Sequence, residues 1–222
     1  MMQFAVSIMA KAPRAGEVKT RLCPPLSTNE AAELYRCFLL DKIEQVRTLT
    51  KASPAIAYTP DEGRTFFEEF APGFVLLPQR GADLGFRLAN NFDQLLGMGY
   101  QGALAIDSDT PTLPTHFLEE AVDLIATPTI DLVLGPSDDG GYYLIGLRKL
   151  YGELFEKMAW STADVMPETI GRAEAKGLKV ATLPLWFDVD TAEDLERLRV
   201  SLQSTQEDAA RHTRRFFKER TE

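Results

Sequence analysis

The stretch Ala103-Leu104-Ala105-Ile106-Asp107-Ser108-Asp109-Thr110-Pro111 joins an apolar run to two aspartates that are one residue apart. We expect the apolar run to be a buried strand, which Pro111 ends because proline has no backbone N–H for sheet pairing. The two carboxylates then lie at the edge of a sheet, and Mg²⁺ and Mn²⁺ prefer oxygen ligands of this kind. An aspartate-rich turn is the alternative for an isolated motif, because such turns are common.

Predicted strands and helices alternate around this stretch. Apolar runs that begin at Phe4, Pro54 and Phe74 predict three earlier strands, with amphipathic helices between them. This alternation is typical of an α/β, Rossmann-like fold with a mostly parallel sheet and helices on both faces. The turn sequence Ser137-Asp138-Asp139-Gly140-Gly141 joins two later strands without a helix, which allows one strand to run antiparallel.

Two capping patterns predict where helices begin. Ser27 is followed by Glu30 three residues later, and Ser161 is followed by Asp164 in the same way. In a capping box, the serine side chain accepts a hydrogen bond from the backbone N–H three residues on, and the acid reciprocates. We therefore expect helices after Ser27 and after Ser161.

The composition is that of an ordinary globular chain, with 222 residues of which 45% are hydrophobic and 26% are charged. We expect one domain over residues 1–200 and a charged C-terminal helix or tail over residues 201–222. The net charge of −9 argues against a general nucleic-acid binder. The first apolar run is too short to cross a membrane. Cys23 and Cys37 form no C-x-x-C pair. We therefore expect a cytoplasmic protein without nucleic-acid or membrane partners. The sequence leaves the oligomeric state open.

The loop after the first predicted strand concentrates positive charge in a chain that is acidic overall. Its side chains include Lys11, Arg14, Lys19 and Arg21, and Gly16 allows close approach of the backbone to a ligand. Arginine and lysine suit phosphate oxygens. In a doubly wound sheet with strand order 3-2-1-4, this loop and the Asp107–Asp109 pair meet across one crevice. The loop is therefore predicted to bind phosphate, and an ordinary solvated surface loop is the alternative.

Other acids and aromatic residues follow later strands. Either Asp188 or Asp190 could add a metal ligand, or Asp190 could cap the last helix together with Thr191. Asp139 could hold a sugar hydroxyl or act as a base, although a plain hairpin turn explains the same residues. The candidate acceptor-binding residues near Asp139 are Gly140, Gly141, Tyr142 and Trp160.

These motifs together resemble a bacterial family of GT-A-like transferases, which is usually described as glycosyltransferase-like and belongs to the nucleotide-diphospho-sugar transferase superfamily. The resemblance covers about residues 3–200, and its motifs occur in matching order at Ile8–Leu22, Gly81–Gly85, Asp107–Pro111, Asp139–Leu147 and Trp160–Thr162. It implies a GT-A-like sheet in which Lys11, Arg14, Lys19 and Arg21 meet the nucleotide phosphates. It also implies that Asp109, together with Asp107, binds the divalent metal, and that Asp190 matches the second metal-binding acid of nucleotidyltransferases.

We expect a metal-dependent transferase that uses Mg²⁺ or Mn²⁺ and moves a sugar from a nucleotide-activated donor to an unknown small-molecule acceptor. Asp109 and Asp139 are the candidate catalytic residues, with Asp139 as the base. The alternative is a nucleotidyltransferase that moves a nucleoside monophosphate from a triphosphate to a phosphorylated small molecule and releases pyrophosphate. Four cations in the first loop fit a triphosphate somewhat better than a diphosphate. A non-catalytic nucleotide sensor with the same fold is disfavoured, because it would require a damaged metal site.

Overall fold

A seven-stranded sheet forms the centre of the protein. The structure is a computed structural model that describes residues 3–204 and 209–220. Its strands are β1 (Phe4–Lys11), β2 (Ala52–Thr59), β3 (Val75–Pro78), β4 (Gly102–Ile106), β5 (Leu132–Pro136), β6 (Tyr142–Leu147) and β7 (Val180–Thr182). The helices are α1 (Thr28–Arg47), α2 (Arg64–Phe70), α3 (Leu84–Gly97), α4 (Thr115–Ala126), α5 (Val165–Ala175), α6 (Ala192–Ser204) and α7 (Arg211–Lys218).

The strand order is β3-β2-β1-β4-β6-β5-β7. Only β6 runs against its neighbours β4 and β5 among the paired strands of the described chain, because a tight turn joins β5 directly to β6. The α/β prediction, the 3-2-1-4 order and the antiparallel strand are thereby confirmed. Since β1 and β4 pair in parallel, with Ile8 opposite Ile106, the loops that follow them leave the same edge of the sheet.

Strand β4 is buried on both faces. Leu104 and Ile106 belong to the core cluster that contains Phe38 of α1, whereas Ala103 and Ala105 belong to the cluster that contains Phe92 of α3. Successive residues of a strand point to opposite faces, so helices cover the sheet on both sides of β4. This packing holds the segment after Ile106 at a fixed position.

One of the two predicted capping boxes is present. Ser27 caps α1, where its hydroxyl accepts from the Glu30 N–H and the Glu30 carboxylate accepts from the Ser27 N–H. The helix predicted after Ser161 is present as α5, but its predicted capping box is wrong, because α5 begins at Val165 and Asp164 makes no side-chain cap. Ser161 has a φ of 64°, and this left-handed backbone is incompatible with the extended geometry of an N-cap.

The last described helix, α7, packs against α1. The Asp41 carboxylate on α1 accepts hydrogen bonds from the backbone N–H groups of His212 at 2.8 Å and Thr213 at 2.9 Å, which satisfies the start of α7. In the predicted tail over residues 201–222, positions 205–208 and 221–222 lie outside the described residues, and the division of the chain at residue 200 stays a prediction. Within the described segments, no helix combines the length and hydropathy that a membrane crossing needs.

We expect Ser27→Ala to lower the free energy of unfolding by about 1 kcal/mol, because the variant loses the side-chain acceptor at the start of α1. Urea denaturation followed by circular dichroism measures this change. The matched control is Thr28→Ala at the exposed neighbouring position, for which we expect little change. Equal stability of the two variants would contradict the capping role of Ser27.

Candidate functional site

Four segments converge at the edge of the sheet where β1 and β4 end. They are the loop after β1, the loop after β4, the β5–β6 turn and the extended segment 187–190. A backbone hydrogen bond from Val189 N–H to the Asp109 carbonyl, at 3.0 Å, ties the last of these segments to the β4 loop. The segments enclose two neighbouring cavities.

The first cavity, which we call the cationic cavity, has a volume of about 230 Å³ and is lined by Lys11, Lys19, Arg21 and Tyr35 together with Asp109 and Asp190. The second, the acidic cavity, has a volume of about 300 Å³. Its lining includes five aspartates and two aromatic residues, which are Asp107, Asp109, Asp139, Asp188, Asp190, Tyr142 and Trp160. Asp109 and Asp190 line both cavities and form the boundary between them.

Lys19 bridges the two boundary carboxylates. Its Nζ lies 2.7 Å from Asp109 Oδ1 and 2.7 Å from Asp190 Oδ1, and only 5% of the Lys19 side chain is exposed. Burial alone would lower the pKa of Lys19, but the charges of the two carboxylates outweigh burial and raise the pKa above its ordinary value. The lysine is therefore a fixed positive charge at the centre of the site.

The other cations of the β1 loop differ in position. Arg21 Nη1 lies 3.6 Å from Asp190 Oδ2 at the cavity mouth, where the Arg21 side chain is 69% exposed. Lys11 Nζ donates to the Glu17 carbonyl at 2.8 Å, which folds the loop back on itself. Arg14 approaches Glu62 at 4.0 Å instead, and neither Arg14 nor Gly16 is among the residues that line the cationic cavity. The structure thus gathers Lys11, Lys19 and Arg21, but not Arg14, around one space.

The two aspartates after β4 have different environments. Asp107 Oδ1 accepts from the Thr110 hydroxyl at 2.6 Å, so the turn alternative describes this residue well. Behind the turn, Lys42 Nζ donates to the carbonyl and the hydroxyl of Thr110, at 2.9 Å each. Burial raises the pKa of Asp107, against the opposing charge of Lys42, and burial lowers the pKa of Lys42. Asp109 faces the boundary between the cavities, with 33% of its side chain exposed.

Asp190 is not the cap of α6. Thr191 Oγ1 accepts from the Asp194 N–H at 3.3 Å, and Asp194 Oδ2 accepts from the N–H groups of Asp190 and Thr191 at 3.1 and 2.7 Å. Thr191 and Asp194 therefore supply the capping, and the Asp190 carboxylate is directed to Lys19 and Arg21.

The β5–β6 turn forms the far wall of the acidic cavity. Asp139 Oδ1 accepts from the Gly141 N–H at 2.8 Å, so Asp139 both shapes the hairpin turn and lines the cavity. The rings of Tyr142 and Trp160 meet edge to face, with their centroids 6.4 Å apart. Gly140 lies beneath the segment that carries Trp160 and does not itself line the cavity.

The donor set at the boundary fits a hard divalent cation. Two carboxylate oxygens, from Asp109 and Asp190, already contact one positively charged atom at 2.7 Å each. Asp107 and Asp188 line the adjoining cavity, and Ser137 donates to Asp188 at 2.8 Å. Oxygen ligands of this kind suit Mg²⁺ or Mn²⁺.

Comparisons with known proteins identify the family. The family model described as "Uncharacterized protein conserved in bacteria (DUF2064)" matches residues 42–162, which is more than half of the chain. The chain belongs to the DUF2064 family. It is also 26% identical, over 91% of its length and 85% of the relative, to a 2-phospho-L-lactate guanylyltransferase from Methanobrevibacter smithii.

Two solved structures resemble this DUF2064 chain over almost its whole length. A proposed nucleotide-diphospho-sugar transferase from Desulfovibrio desulfuricans G20 is 31% identical, with a TM-score of 0.90 over 99% of this chain and 95% of that one. A cytidylyltransferase from Leptospira borgpetersenii is 15% identical, with a TM-score of 0.63 over 100% of this chain and 96% of that one, and it shows the fold alone. The predictions of the nucleotide-diphospho-sugar transferase fold and of a transferase are confirmed.

Three residues of the site were missing from the sequence-based set. Nothing in the sequence marked Tyr35 of α1 as a site residue, but its hydroxyl accepts from the Lys11 N–H at 3.0 Å and lies 2.9 Å from Ser108 Oγ. Lys42 was not singled out, although a lysine among the apolar residues of a helix was an available signal. Asp188 was only an alternative to Asp190 and is not part of the predicted set, although residues two apart in a strand share a face and its spacing from Asp190 was an available signal.

A second group of potential metal ligands lies elsewhere. Ligand atoms of Asp41, Glu44 and His212 come within 4.8 Å of one another. Asp41 is already an acceptor for the start of α7, and Glu44 contacts Arg211 as well as His212. These contacts explain the group as the junction between α1 and α7.

Gly140→Ala tests whether the β5–β6 turn is packed against the Trp160 segment. A Cβ at Gly140 would lie 2.4 Å from Ala163 Cα, whereas a Cβ at Gly73 would meet nothing within 4 Å, and both glycines have a φ near +90°. We expect Gly140→Ala to lower the free energy of unfolding by about 1–3 kcal/mol more than Gly73→Ala does, because only the former overpacks. Urea denaturation compares the two, and equal losses would show that the segment moves aside freely.

Proposed function

We propose that this chain is a metal-dependent nucleotidyltransferase, which transfers a nucleoside monophosphate from a triphosphate to a small-molecule acceptor and releases pyrophosphate. The observation that carries the proposal is that Asp109 and Asp190 line both the cationic and the acidic cavity. A reacting phosphate at this boundary would have cations on one side and space for an acceptor on the other. The similarity to a guanylyltransferase supports nucleotidyl transfer, and this reverses the order expected from the sequence, in which sugar transfer came first.

The residues of the cationic cavity would hold the triphosphate. Lys11, Lys19 and Arg21 offer charge-assisted hydrogen bonds to phosphate oxygens, which are stronger than neutral ones. Asp109 and Asp190 would hold Mg²⁺ or Mn²⁺, which supplies charge stabilisation for the attacked phosphate and the departing pyrophosphate. Positioning and charge stabilisation account for most of the catalysis in phosphoryl transfer, so the proposal requires little further chemistry from the protein.

The acceptor would occupy the acidic cavity. Asp139, on the far wall, is the candidate base for an acceptor that attacks through a hydroxyl. The ring faces and polar edges of Tyr142 and Trp160 are suited to an amphipathic small molecule. Gly141 holds Asp139 through its backbone N–H, which limits the freedom of that carboxylate.

One observation favours transfer of a sugar as the second candidate function. Among the described residues that line the acidic cavity, none is lysine or arginine, and five are aspartate. A phosphorylated acceptor would meet these carboxylates with only the bound metal to offset them, whereas a neutral hydroxyl acceptor avoids the repulsion. Sugar transfer from a nucleotide-activated donor uses such an acceptor, and the same metal site would stabilise the departing nucleoside diphosphate.

We expect Asp109→Asn to weaken Mg²⁺-dependent binding of a nucleoside triphosphate by about tenfold or more, because the variant loses a charged metal ligand. Isothermal titration calorimetry with and without Mg²⁺ measures this effect. Asp93→Asn, at an exposed position on α3, is the matched control with the same chemical change. Metal-dependent binding that survives unchanged in Asp109→Asn would contradict the proposed site.

Analysis of the reaction products separates the two candidate functions. The protein is incubated with Mg²⁺, a small-molecule extract as the acceptor source, and either nucleoside triphosphates or nucleotide sugars. We expect pyrophosphate from the triphosphates, in an amount that matches the nucleotide incorporated into product. Release of nucleoside diphosphate from nucleotide sugars, without pyrophosphate from triphosphates, would instead establish sugar transfer.

A further inference from the structure

We infer that Lys19 and the divalent cation compete for the same two carboxylates, so that the metal enters this site together with a triphosphate and not alone. The inference rests on the proposed function and assigns to Lys19 a role beyond binding phosphate. Lys19 becomes a positioning residue that keeps Asp109 and Asp190 together before the substrate arrives.

The geometry prevents the ammonium and a metal from using the same two carboxylate oxygens at once. Lys19 Nζ lies 2.7 Å from one oxygen of Asp109 and 2.7 Å from one oxygen of Asp190, so the ammonium fills the space between them. Mg²⁺ requires its oxygen ligands at about 2.0–2.1 Å. A metal bound by these two oxygens would therefore overlap the ammonium nitrogen, and the two positive charges would repel each other at close range.

Leaving this position would break both ion pairs of Lys19, with Asp109 and with Asp190. The Lys19 side chain is only 5% exposed, and besides the two aspartates the charged residues that line the cationic cavity with it are Lys11, Arg21 and the exposed Glu17. An ammonium displaced toward Lys11 and Arg21 would meet like charges, and the exposed carboxylate of Glu17 would be a weaker partner than the two carboxylates at 2.7 Å, so the displacement carries a free-energy cost. A metal ion that binds alone has to overcome this cost with its own binding energy.

A triphosphate in the cationic cavity removes the cost. Its oxygens would accept from the Lys19 ammonium after the ammonium leaves the carboxylates, and Asp109 and Asp190 would then be free to hold the metal, which would supply charge stabilisation to the phosphates. Binding of metal and triphosphate is then mutually favourable, and the coupling is reciprocal by thermodynamic necessity. Arg21 is placed differently, since it reaches Asp190 from 3.6 Å at the exposed mouth and does not fill the space between the carboxylates.

Binding of Mn²⁺ alone tests the inference. Electron paramagnetic resonance of free Mn²⁺ is used to titrate the wild-type protein and Lys19→Met without nucleotide. We expect Lys19→Met to bind Mn²⁺ about tenfold more tightly or better, because the methionine leaves both carboxylates free. Unchanged or weaker binding of Mn²⁺ by a folded Lys19→Met would overturn the inference.

Two controls separate displacement from a general change of charge. Lys51→Met removes a lysine that pairs with Asp123 at 2.5 Å on a distant surface, and Mn²⁺ binding should not change. Arg21→Met removes a positive charge beside Asp190 without opening the space that Lys19 fills, so its effect should be clearly smaller than that of Lys19→Met. An equal effect of Arg21→Met would overturn displacement in favour of local charge alone.

A second measurement uses the wild-type protein, so that the result does not depend on the folding of Lys19→Met. Acetylation of Lys19 by acetic anhydride is followed by mass spectrometry, with Lys51 as the exposed reference. We expect Lys19 to be protected in the free protein and to react faster at saturating Mn²⁺. Protection that persists after Mn²⁺ has bound at Asp109 would overturn the inference.

Asp109→Asn distinguishes the failure of this inference from the failure of the proposed function. If Mn²⁺ binding does not depend on Asp109 in either the wild-type or the Lys19→Met background, the proposed metal site is wrong. If binding depends on Asp109 in both backgrounds but has the same affinity, only the competition with Lys19 is wrong.

Discussion

The paired contacts of Lys19 with Asp109 and Asp190 hold together segments that are far apart in the chain. Lys19 follows β1, Asp109 follows β4, and Asp190 lies 171 residues from Lys19, immediately before α6. Two carboxylates that each lie 2.7 Å from the same atom would repel each other if that atom were not a cation. The close approach of Asp109 and Asp190 therefore depends on a positive charge between them. Lys19 supplies this charge in the free protein, and a metal is proposed to supply it when substrate is bound.

The sheet topology makes this contact possible. Parallel pairing of β1 with β4 brings the ends of both strands to one edge, at the point where the strand order changes direction. The antiparallel strand β6 then brings the β5–β6 turn back to the same edge and adds Asp139 to it. One side of the cleft is consequently cationic and the other acidic, and the proposed function assigns the polyphosphate to the first side and the acceptor to the second.

Much of the fold could be predicted because its signals are local. The buried run before Asp107, the alternation of strands with amphipathic helices and the capping box at Ser27 each arise from neighbouring residues. The capping pattern at Ser161 failed because the structure gives Ser161 a left-handed backbone, which the pattern itself cannot reveal.

In the site, the proximity of the β1 loop to Asp109 followed from the strand order, but the direction of each side chain did not. Arg14 and Lys19 look equivalent in the sequence, and only the folded loop separates them. The roles of Tyr35 and Lys42 depend equally on long-range packing.

The central claim is that Asp109 and Asp190 hold a divalent cation where the triphosphate meets the acceptor cavity. The most direct measurement is anomalous diffraction from crystals grown with Mn²⁺ and a non-hydrolysable α,β-methylene nucleoside triphosphate. We predict a manganese peak in direct coordination with both carboxylates, and phosphates against Lys11, Lys19 and Arg21. A manganese peak confined to the Asp41–Glu44–His212 junction, or a triphosphate bound outside the cationic cavity, would contradict the claim.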